Sequence, residues 1–267
     1  MKVGPSGQVL MCPPEYYGIY YEINPWMSVA KQANRDVALR QWEALYDLYR
    51  DLGVTVELME PAEGLPDMVF TANAGVASGD LFIASNFRHP ERRGEEEHFC
   101  AWFEAHGYRV ERLPKDCFFE GMGDIKLYRD LLFAGFYFRS DIRSHLLVGE
   151  RAGKLVVSLE LADLRFYHLD TCFCPLDDEL VMYFPPALQE YSRKAVQHHT
   201  SAQLEVGEVD ALAFACNCVV VDRHIILNQA SPALREALEA RGFTVHQVPL
   251  SEFLKAGGGA GCLTLAL

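Results

Sequence analysis

The sequence has no uninterrupted apolar run of about eighteen residues, the minimum that suggests a membrane-spanning helix. Its first residues, Met1 to Gly7, also lack the apolar stretch of a secretory signal peptide. We therefore expect a cytoplasmic protein whose eight cysteines are reduced. Since 50% of its 267 residues are hydrophobic, the chain can form a sizeable core without disulfides.

Basic residues are scarce, because 24 lysines and arginines accompany 37 aspartates and glutamates and give a formal net charge of −13. This excess of negative charge argues against nucleic acid and anionic membranes as partners. The sequence also lacks a nucleotide-binding glycine motif, and no linker or low-complexity stretch divides it. We expect a single domain over residues 1–267 that needs no cofactor, and the sequence leaves a homo-oligomer open.

The apolar pattern repeats along the chain. Five stretches have helical spacing, and a short β-like run follows each of them. The predicted helices are residues 28–52, 90–106, 140–152, 186–198 and 231–241. Between them lie predicted strand pairs, residues 68–78 with 81–86, 123–128 with 131–138, 171–175 with 179–184, and 216–222 with 224–228.

A unit of strand, strand, helix and strand therefore recurs about five times, with a period of roughly 45 to 58 residues. This repeat predicts an α/β fold in the form of a five-bladed propeller with five-fold pseudosymmetry. A doubly wound parallel sheet is the alternative. The strand pairs weigh against it, because parallel strands need crossover connections rather than hairpins.

The last eleven residues contain four glycines in five positions, followed by Cys262 and a short apolar run. Glycine allows positive φ and close approach of the backbone to another group. A cysteine at the tip of such a loop, anchored by a terminal strand, is suited to act as a nucleophile. A buried cysteine in a terminal strand is the alternative interpretation.

Polar side chains recur inside apolar stretches of successive repeats. They are Asp67 and Asn73, Glu120 and Asp124 among glycines, and His168 and Asp170, whose alternation predicts one face of a strand. Each could be a turn residue or a hydrogen-bonded core residue. Their recurrence suggests instead that they meet at the propeller axis, where strand ends and loops from each unit come together.

A cysteine and a histidine in one site make a nucleophile with a proton partner. Carboxylates beside them would repel a thiolate, unless they bind a cation. A planar cation with several donors, such as a guanidinium, suits paired carboxylates. The residues therefore predict hydrolysis or transfer at a guanidine carbon.

The motifs resemble those of the guanidine-modifying (pentein) superfamily, which includes arginine deiminase, dimethylarginine dimethylaminohydrolase, amidinotransferases and arginine dihydrolases. The matching motifs are Pro-Asp-x-Val-Phe, Glu-Gly-x-Gly-Asp, His-Leu-Asp-Thr and the terminal Gly-x-Gly-Cys. The resemblance covers nearly the whole chain, and it implies the five-bladed propeller. It also implies a hydrolase of linear amidine C–N bonds with a small cationic substrate.

The resemblance implies a role for each matched residue. Cys262 matches the nucleophile and His168 the general acid/base, and Glu120 and Asp170 match carboxylates that hold the guanidinium. We count Glu120 with the catalytic residues. The remaining matches are Arg92 and Arg139, which would bind the substrate α-carboxylate, and Asp67 and Asp124, at the pocket edge or in support of it.

Asn73 stands where deiminases and dimethylaminohydrolases carry aspartate. Together with Asn24 it resembles the arginine dihydrolases, which carry hydrolysis past citrulline to ornithine, ammonia and carbon dioxide. We therefore expect an arginine dihydrolase, with a dimethylaminohydrolase or deiminase as the alternative. Met122 is an insertion in the family's Glu-Gly-Gly-Asp turn and affects the register of Asp124.

The sequence allows two further interpretations. A non-catalytic ribosome anti-association factor has the same propeller, but it would not need a Cys/His pair, and the acidity disfavours an RNA-rich partner. A metal site is suggested by two cysteine pairs, Cys172 with Cys174, near His168, and Cys216 with Cys218. Structural zinc sites usually have a wider cysteine spacing, so we expect no metal. Residues before Asn24 could cover the pocket as a lid.

Overall fold

The computed structural model describes residues 2–3 and 7–267. Part of the stretch considered above for a signal peptide, Met1 and residues 4–6, lies outside the described residues. Among the described residues are fifteen strands: β1 Gln8–Met11, β2 Thr55–Leu58, β3 Gly75–Ser78, β4 Leu81–Ala84, β5 Arg109–Glu111, β6 Ile125–Tyr128, β7 Leu131–Phe136, β8 Leu155–Glu160, β9 Phe173–Pro175, β10 Leu180–Tyr183, β11 Ala202–Glu205, β12 Val219–Val221, β13 His224–Leu227, β14 Thr244–Gln247 and β15 Leu265–Ala266.

The helices lie between strands in the order of the chain. They are α1 Arg35–Asp51, α2 Glu95–Ala105, α3 Ile142–Ala152, α4 Glu190–His199, α5 Glu208–Leu212, α6 Pro232–Glu239 and α7 Ser251–Leu254. Ser231 caps α6 as its sequence suggests, since its hydroxyl accepts a hydrogen bond from the Leu234 amide. In the described part of the chain, no helix is long and apolar enough to cross a membrane.

The strands form five sheets of three, and each sheet has the same internal order. The middle strand pairs antiparallel with one neighbour and parallel with the other, as β4 does with β3 and β5. Each parallel pairing spans a helix, as a crossover connection requires. The five-bladed α/β propeller predicted from the repeats is confirmed, and the doubly wound parallel sheet is wrong.

The fifth sheet joins the two ends of the chain. β15 pairs antiparallel with β1, with Val9 opposite Ala266 and Leu10 opposite Leu265. β1 in turn pairs in parallel with β2. This pairing fixes the position of the glycine-rich loop before β15, because the loop ends on a fully buried strand residue, Leu265.

Several predicted strands are shorter than their apolar runs. Residues 66–69, 71–74, 121–123 and 169–171 form 3₁₀ turns, and the strands start only after them. The alternation predicted that His168 and Asp170 lie on one face of a strand. This prediction is wrong, because residues 169–171 form a 3₁₀ turn. A short apolar run cannot distinguish a strand from a buried helical turn, and burial on all sides allows either.

All five predicted helices begin later than predicted, and the shift is largest in α1 and α2. α1 starts at Arg35 rather than at residue 28, because the Asn34 side chain caps it by accepting from the Val37 amide. α2 starts at Glu95, after a separate 3₁₀ turn at Pro90–Arg92. The residues before α1 form an irregular segment, residues 12–34, which we call the cover segment.

One buried histidine makes the fold sensitive to acid. His145 in α3 contacts the Ser158 hydroxyl at 2.7 Å through Nδ1 and the Gly135 carbonyl at 3.2 Å through Nε2. Nε2 must donate to the carbonyl, so Nδ1 of a neutral ring accepts from the hydroxyl. Burial lowers the pKa of His145 from 6.5 to about 4.

We therefore expect the His145 contribution to stability to be present above pH 6.5 and lost as the pH falls towards 4, since the unfolded chain takes up the proton first. Between pH 7.5 and 5 this loss is about 2 kcal/mol. Urea unfolding at both pH values should show a smaller fall for His145→Gln than for the wild type. An equal fall in both proteins would contradict a buried neutral imidazole.

Candidate active site

Cys262 lies in the loop between α7 and β15, and its side chain is buried. The loop turns at Gly257, where φ is +80°. At Gly258 a Cβ atom would stand only 2.5 Å from the Phe70 ring, so a side chain does not fit there. The glycines thus let the loop pack tightly beside the 3₁₀ turns, as the sequence predicted.

The sulfur of Cys262 lies between two polar partners. The thiol donates to Asp170 Oδ2 at 3.3 Å, and the Asn217 Nδ2 group donates to the sulfur at 3.1 Å. Burial and then the Asp170 carboxylate raise the pKa of Cys262 well above its usual value, although hydrogen bonds from Gly259 and Asn217 oppose this. In this arrangement the sulfur is a thiol, and an arriving cation would favour the thiolate.

His168 is part of a buried chain of charged groups. Its Nε2 donates to Glu120 Oε2 at 2.7 Å, and Arg139 donates to the same oxygen at 2.9 Å. Burial disfavours the Glu120 carboxylate, but Arg139, His168 and Arg92 outweigh it and hold the pKa of Glu120 well below its usual range. Glu120 is therefore an anion that orients His168, and Nδ1 of the ring has no partner among the described residues.

Asp124 lies behind the site rather than at its edge. Its Oδ2 accepts from the Ser140 hydroxyl at 2.6 Å, and its Oδ1 accepts from the Leu169 amide at 3.0 Å. Asp124 therefore supports the turn that carries Asp170, and the extra residue in the Glu-Gly-Met-Gly-Asp turn does not displace it from the site. At Gly123 a Cβ would collide with Asn73 and lie 3.2 Å from the His168 ring.

Arg92 holds a second set of site residues. It forms a bidentate pair with Glu95, at 2.9 and 2.8 Å, and it donates to Asn73 Oδ1 at 2.9 Å and to the Asp67 carbonyl at 3.1 Å. The bond to Oδ1 leaves Asn73 Nδ2 free of any partner in the described part of the chain. Asp67 Oδ1 also has no partner there. Glu95 could not be recognised from the sequence, because a run of three glutamates such as Glu95 to Glu97 is typical of a solvated helix face.

These residues enclose a small cavity. Its walls are formed by Ile23, Asn24, Met27, Asp67, Phe70, Asn73, Arg92, Arg139, Tyr167, Ala256 and Cys262. Its volume of about 10 Å³ is roughly the space of one water molecule. Six of the ten predicted site residues line it, and a seventh, Asp170, contacts the lining residue Cys262; the other three, His168, Glu120 and Asp124, are not among the lining residues.

The cover segment closes the cavity. Asn24 donates to the Ala256 carbonyl at 3.0 Å, Trp26 donates to the Arg165 carbonyl at 2.7 Å, and Arg139 donates to the Ile23 carbonyl at 2.9 Å. All three bonds join this segment to other parts of the chain. An amino acid as large as arginine could enter only after the segment moves.

Two further site residues were missed from the sequence. Tyr167 donates to the Gly257 carbonyl at 2.8 Å, and its ring centre lies 4.6 Å from the Arg139 guanidinium. Asn217 contacts Cys262 directly. Its position as a lone amide between Cys216 and Cys218, in an apolar run, was a usable signal. The two cysteines of this run suggested a metal site instead, and the described residues contain no group of three or more potential metal ligands.

Comparison with known proteins assigns the chain to a family. The family profile of N,N dimethylarginine dimethylhydrolase, eukaryotic, matches residues 22–267. The chain belongs to this family. Its members are guanidino-modifying hydrolases, as the resemblance of the motifs predicted.

Two curated relatives of this chain carry the names of two different hydrolases. The bifunctional arginine dihydrolase/ornithine cyclodeaminase ArgZ of Synechocystis sp. is 46% identical over 263 residues, which are 97% of this chain. The chain spans only 37% of that relative's length. The N(G),N(G)-dimethylarginine dimethylaminohydrolase of Mycobacterium tuberculosis is 40% identical over 257 residues, which cover 96% of this chain and 84% of the relative.

A solved structure confirms the fold of this family member. The N-terminal domain of ArgZ, in a variant covalently bound to a reaction intermediate, superimposes with a TM-score of 0.94 at 46% identity. The match covers 97% of this chain and 96% of that domain. This chain and the N-terminal domain of ArgZ therefore share one fold.

Proposed function

We propose that this protein is an arginine dihydrolase, which converts arginine to ornithine, two molecules of ammonia and carbon dioxide through a covalent bond to Cys262. One observation carries the proposal. Four buried polar atoms of the site have no hydrogen-bond partner among the described residues, and they are Asp67 Oδ1, Asp170 Oδ1, Asn73 Nδ2 and His168 Nδ1. Buried polar groups are rarely left unpaired, so these four indicate a missing polar ligand.

The unpaired atoms suit a guanidinium. Asp67 and Asp170 offer carboxylate oxygens to its N–H groups, and charge-assisted bonds of this kind are strong. Cys262 contacts Asp170 at 3.3 Å, so a guanidinium held by Asp170 places its carbon near the sulfur. The positive charge of the substrate would also offset the effect of Asp170 on the thiol and favour the thiolate.

The first hydrolysis then has three steps. The Cys262 thiolate attacks the guanidinium carbon, and His168 gives a proton to the departing ammonia. A water molecule, deprotonated by His168, attacks the same carbon and breaks the bond to sulfur, which releases citrulline. Glu120 keeps the imidazole oriented and stabilises its protonated form, since the two share a buried 2.7 Å hydrogen bond.

The second hydrolysis acts on the citrulline ureido group. Attack by the sulfur and loss of ammonia leave a thiocarbamate on Cys262. Water cleaves this to an N-carboxylated ornithine, which loses carbon dioxide. Asn73 supports this round because its unpaired Nδ2 can donate to the ureido oxygen, which a carboxylate could not do. ArgZ, which is 46% identical to this chain, carries the name of an arginine dihydrolase, and this agrees with the proposal.

Arg139 fits the proposed role of holding the substrate α-carboxylate better than Arg92. Arg92 uses four of its five N–H donors on Glu95, Asn73 and the Asp67 carbonyl. Arg139 uses two, on Glu120 and on the Ile23 carbonyl of the cover segment. Movement of this segment would free a further donor of Arg139 at the moment when substrate enters.

Dimethylarginine hydrolysis is the second candidate, since the matching family profile and the Mycobacterium tuberculosis relative carry that name. The two candidates share Cys262, and they differ in what Asn73 must do. A single domain over residues 1–267, a cytoplasmic location and a homo-oligomer stay predictions, which limited proteolysis, fractionation and light scattering would check.

Product analysis separates the candidates. We expect the purified protein to convert arginine to ornithine with two ammonia molecules per turnover and to hydrolyse added citrulline, as measured by mass spectrometry and an ammonia assay. Dimethylarginine should be a poor substrate. Citrulline as the final product, with dimethylamine released from dimethylarginine, would favour the second candidate, and no release of ammonia or amine would refute both.

A further inference from the structure

Asn217 uses every polar group of its side chain on the nucleophile and the residues beside it. It lies just before β12, and it is 1% exposed. Its Oδ1 accepts from the amides of Gly259, at 2.9 Å, and Cys262, at 3.0 Å. Its Nδ2 donates to the Cys262 sulfur at 3.1 Å and to the Asp170 carbonyl at 3.2 Å.

The contacts also set the orientation of the amide. Two backbone N–H donors require the oxygen on one side, so the nitrogen must face the sulfur and the Asp170 carbonyl. The Asn217 backbone carbonyl adds a bond from the Gly261 amide at 3.0 Å. The loop is therefore attached to Asn217 at Cys262 and at two glycines before it, and one N–H group of Asn217 donates to the sulfur.

The Asn217 N–H group and the Asp170 carboxylate have opposite effects on the pKa of Cys262. The Asp170 carboxylate accepts the thiol proton and disfavours a negative sulfur, whereas an N–H donor strengthens its bond when the sulfur becomes charged. The remaining ionisable groups around the sulfur are Tyr167, Arg92, Arg139 and Asp67 in the cavity wall, with His168 two residues before Asp170. Asn217 differs from these groups because it carries no charge and its side-chain N–H contacts the sulfur directly.

We infer that Asn217 is a positioning residue for Cys262, whose amide nitrogen stabilises the thiolate as it forms and whose amide oxygen fixes the loop that presents the sulfur. Its catalytic meaning rests on the proposed function, but its effect on the sulfur does not. A residue that only holds the loop in place would accept the same two hydrogen bonds, from the Gly259 and Cys262 amides, without affecting the ionisation of Cys262.

The test is the pH dependence of Cys262 alkylation by iodoacetamide, followed by mass spectrometry of the peptide that contains it. Asn217→Asp keeps the shape and the acceptor but replaces the donor with an anionic oxygen. We expect alkylation near pH 8 to slow by about ten- to a hundredfold and its midpoint to move to higher pH. The kcat for ammonia release should fall by a similar factor, with a smaller change in KM.

Asn228→Asp is the matched control. Asn228 joins two loops in the same way, since it donates to the Ala213 carbonyl at 3.1 Å and accepts from the Leu250 amide at 2.9 Å, without contact to the nucleophile. We expect its alkylation profile to equal that of the wild type. If Asn217→Asp lowers the melting temperature but leaves the profile unchanged, Asn217 is only a structural staple and the inference is overturned.

A measurement on the wild-type protein covers the case in which Asn217→Asp does not fold. With ¹⁵N-labelled asparagine, the side-chain NH₂ resonance of Asn217 should shift with pH at the midpoint of Cys262 alkylation. A resonance that does not move while Cys262 ionises would overturn the inference. If the ionisation effects are found but no guanidino substrate is hydrolysed, the proposed function fails and the role of Asn217 stands.

Discussion

Replacing Cys262 by serine is expected to lower ammonia release from arginine by at least about 10⁴-fold, to the limit of detection. A serine hydroxyl is far less acidic than a thiol, and the Asp170 carboxylate beside it would disfavour an alkoxide further. The serine can keep the bonds to Asp170 and Asn217, so the fold should be unchanged. Steady-state ammonia assays and circular dichroism would measure both results.

Cys100→Ser is the control for this substitution. Cys100 is also buried, but it packs in the core between α2 and its sheet, away from the cavity. We expect this variant to lose stability and keep its turnover per folded molecule. Comparable activity of Cys262→Ser and the wild type would remove the nucleophile from the proposal and with it the covalent mechanism.

The repeating architecture was predictable because each unit carries its own hydrophobic pattern. A helix with apolar spacing and its flanking strands can be recognised within one stretch of about fifty residues. Closure of the ring by β15 against β1 could not be predicted in the same way, because that pairing joins Leu10 to Leu265 at opposite ends of the chain. The sequence showed only that a terminal strand was present.

The local conformation at the site was predicted poorly. Asp170 contacts Cys262, but the strand alternation that grouped Asp170 with His168 is wrong, because residues 169–171 form a 3₁₀ turn. What brings them together is a support from elsewhere, the Asp124 carboxylate bonded to the Leu169 amide. A pattern of residue types detects unusual polarity, but the turn depends on contacts that distant residues supply.

The same dependence on distant residues explains why Asn217 and Tyr167 were missed. Asn217 contacts the sulfur across 45 positions of sequence, and Tyr167 reaches the Gly257 carbonyl across 90. Neither belongs to a motif by which the family was recognised. Asp124 is the opposite case, a motif residue for which two places were left open, the pocket edge or a supporting position, and both of its oxygens are engaged in support. A motif therefore indicates residues that the site needs, but it does not distinguish residues that line the cavity from residues that support them.

Replacing Asn73 by aspartate is expected to change the final product from ornithine to citrulline. The Arg92 guanidinium holds Asn73 Oδ1 at 2.9 Å, so Nδ2, which has no partner among the described residues, stays available as a donor at the cavity wall. In Asn73→Asp one oxygen would take the place of Oδ1 on Arg92, and the other would face the cavity with a negative charge. A third carboxylate beside Asp67 and Asp170 should hold the guanidinium of arginine at least as well as before.

The ureido group of citrulline would meet the opposite situation. It is neutral, and its oxygen would face a carboxylate oxygen instead of an N–H donor. A hydrogen bond lost in this way and a buried group left unpaired cost roughly 1–3 kcal/mol, or about ten- to a hundredfold in rate. We expect the ratio of ornithine to citrulline to fall by that factor, while the first release of ammonia changes less than tenfold.

Asn73→Ala separates the two physical causes. It removes the donor without adding a charge, and it also leaves Arg92 with one acceptor fewer. If the missing donor decides the outcome, both variants should accumulate citrulline, measured by mass spectrometry over a time course. If the added charge decides it, only Asn73→Asp should do so. Unchanged product ratios in both variants would show that Asn73 does not control the second hydrolysis.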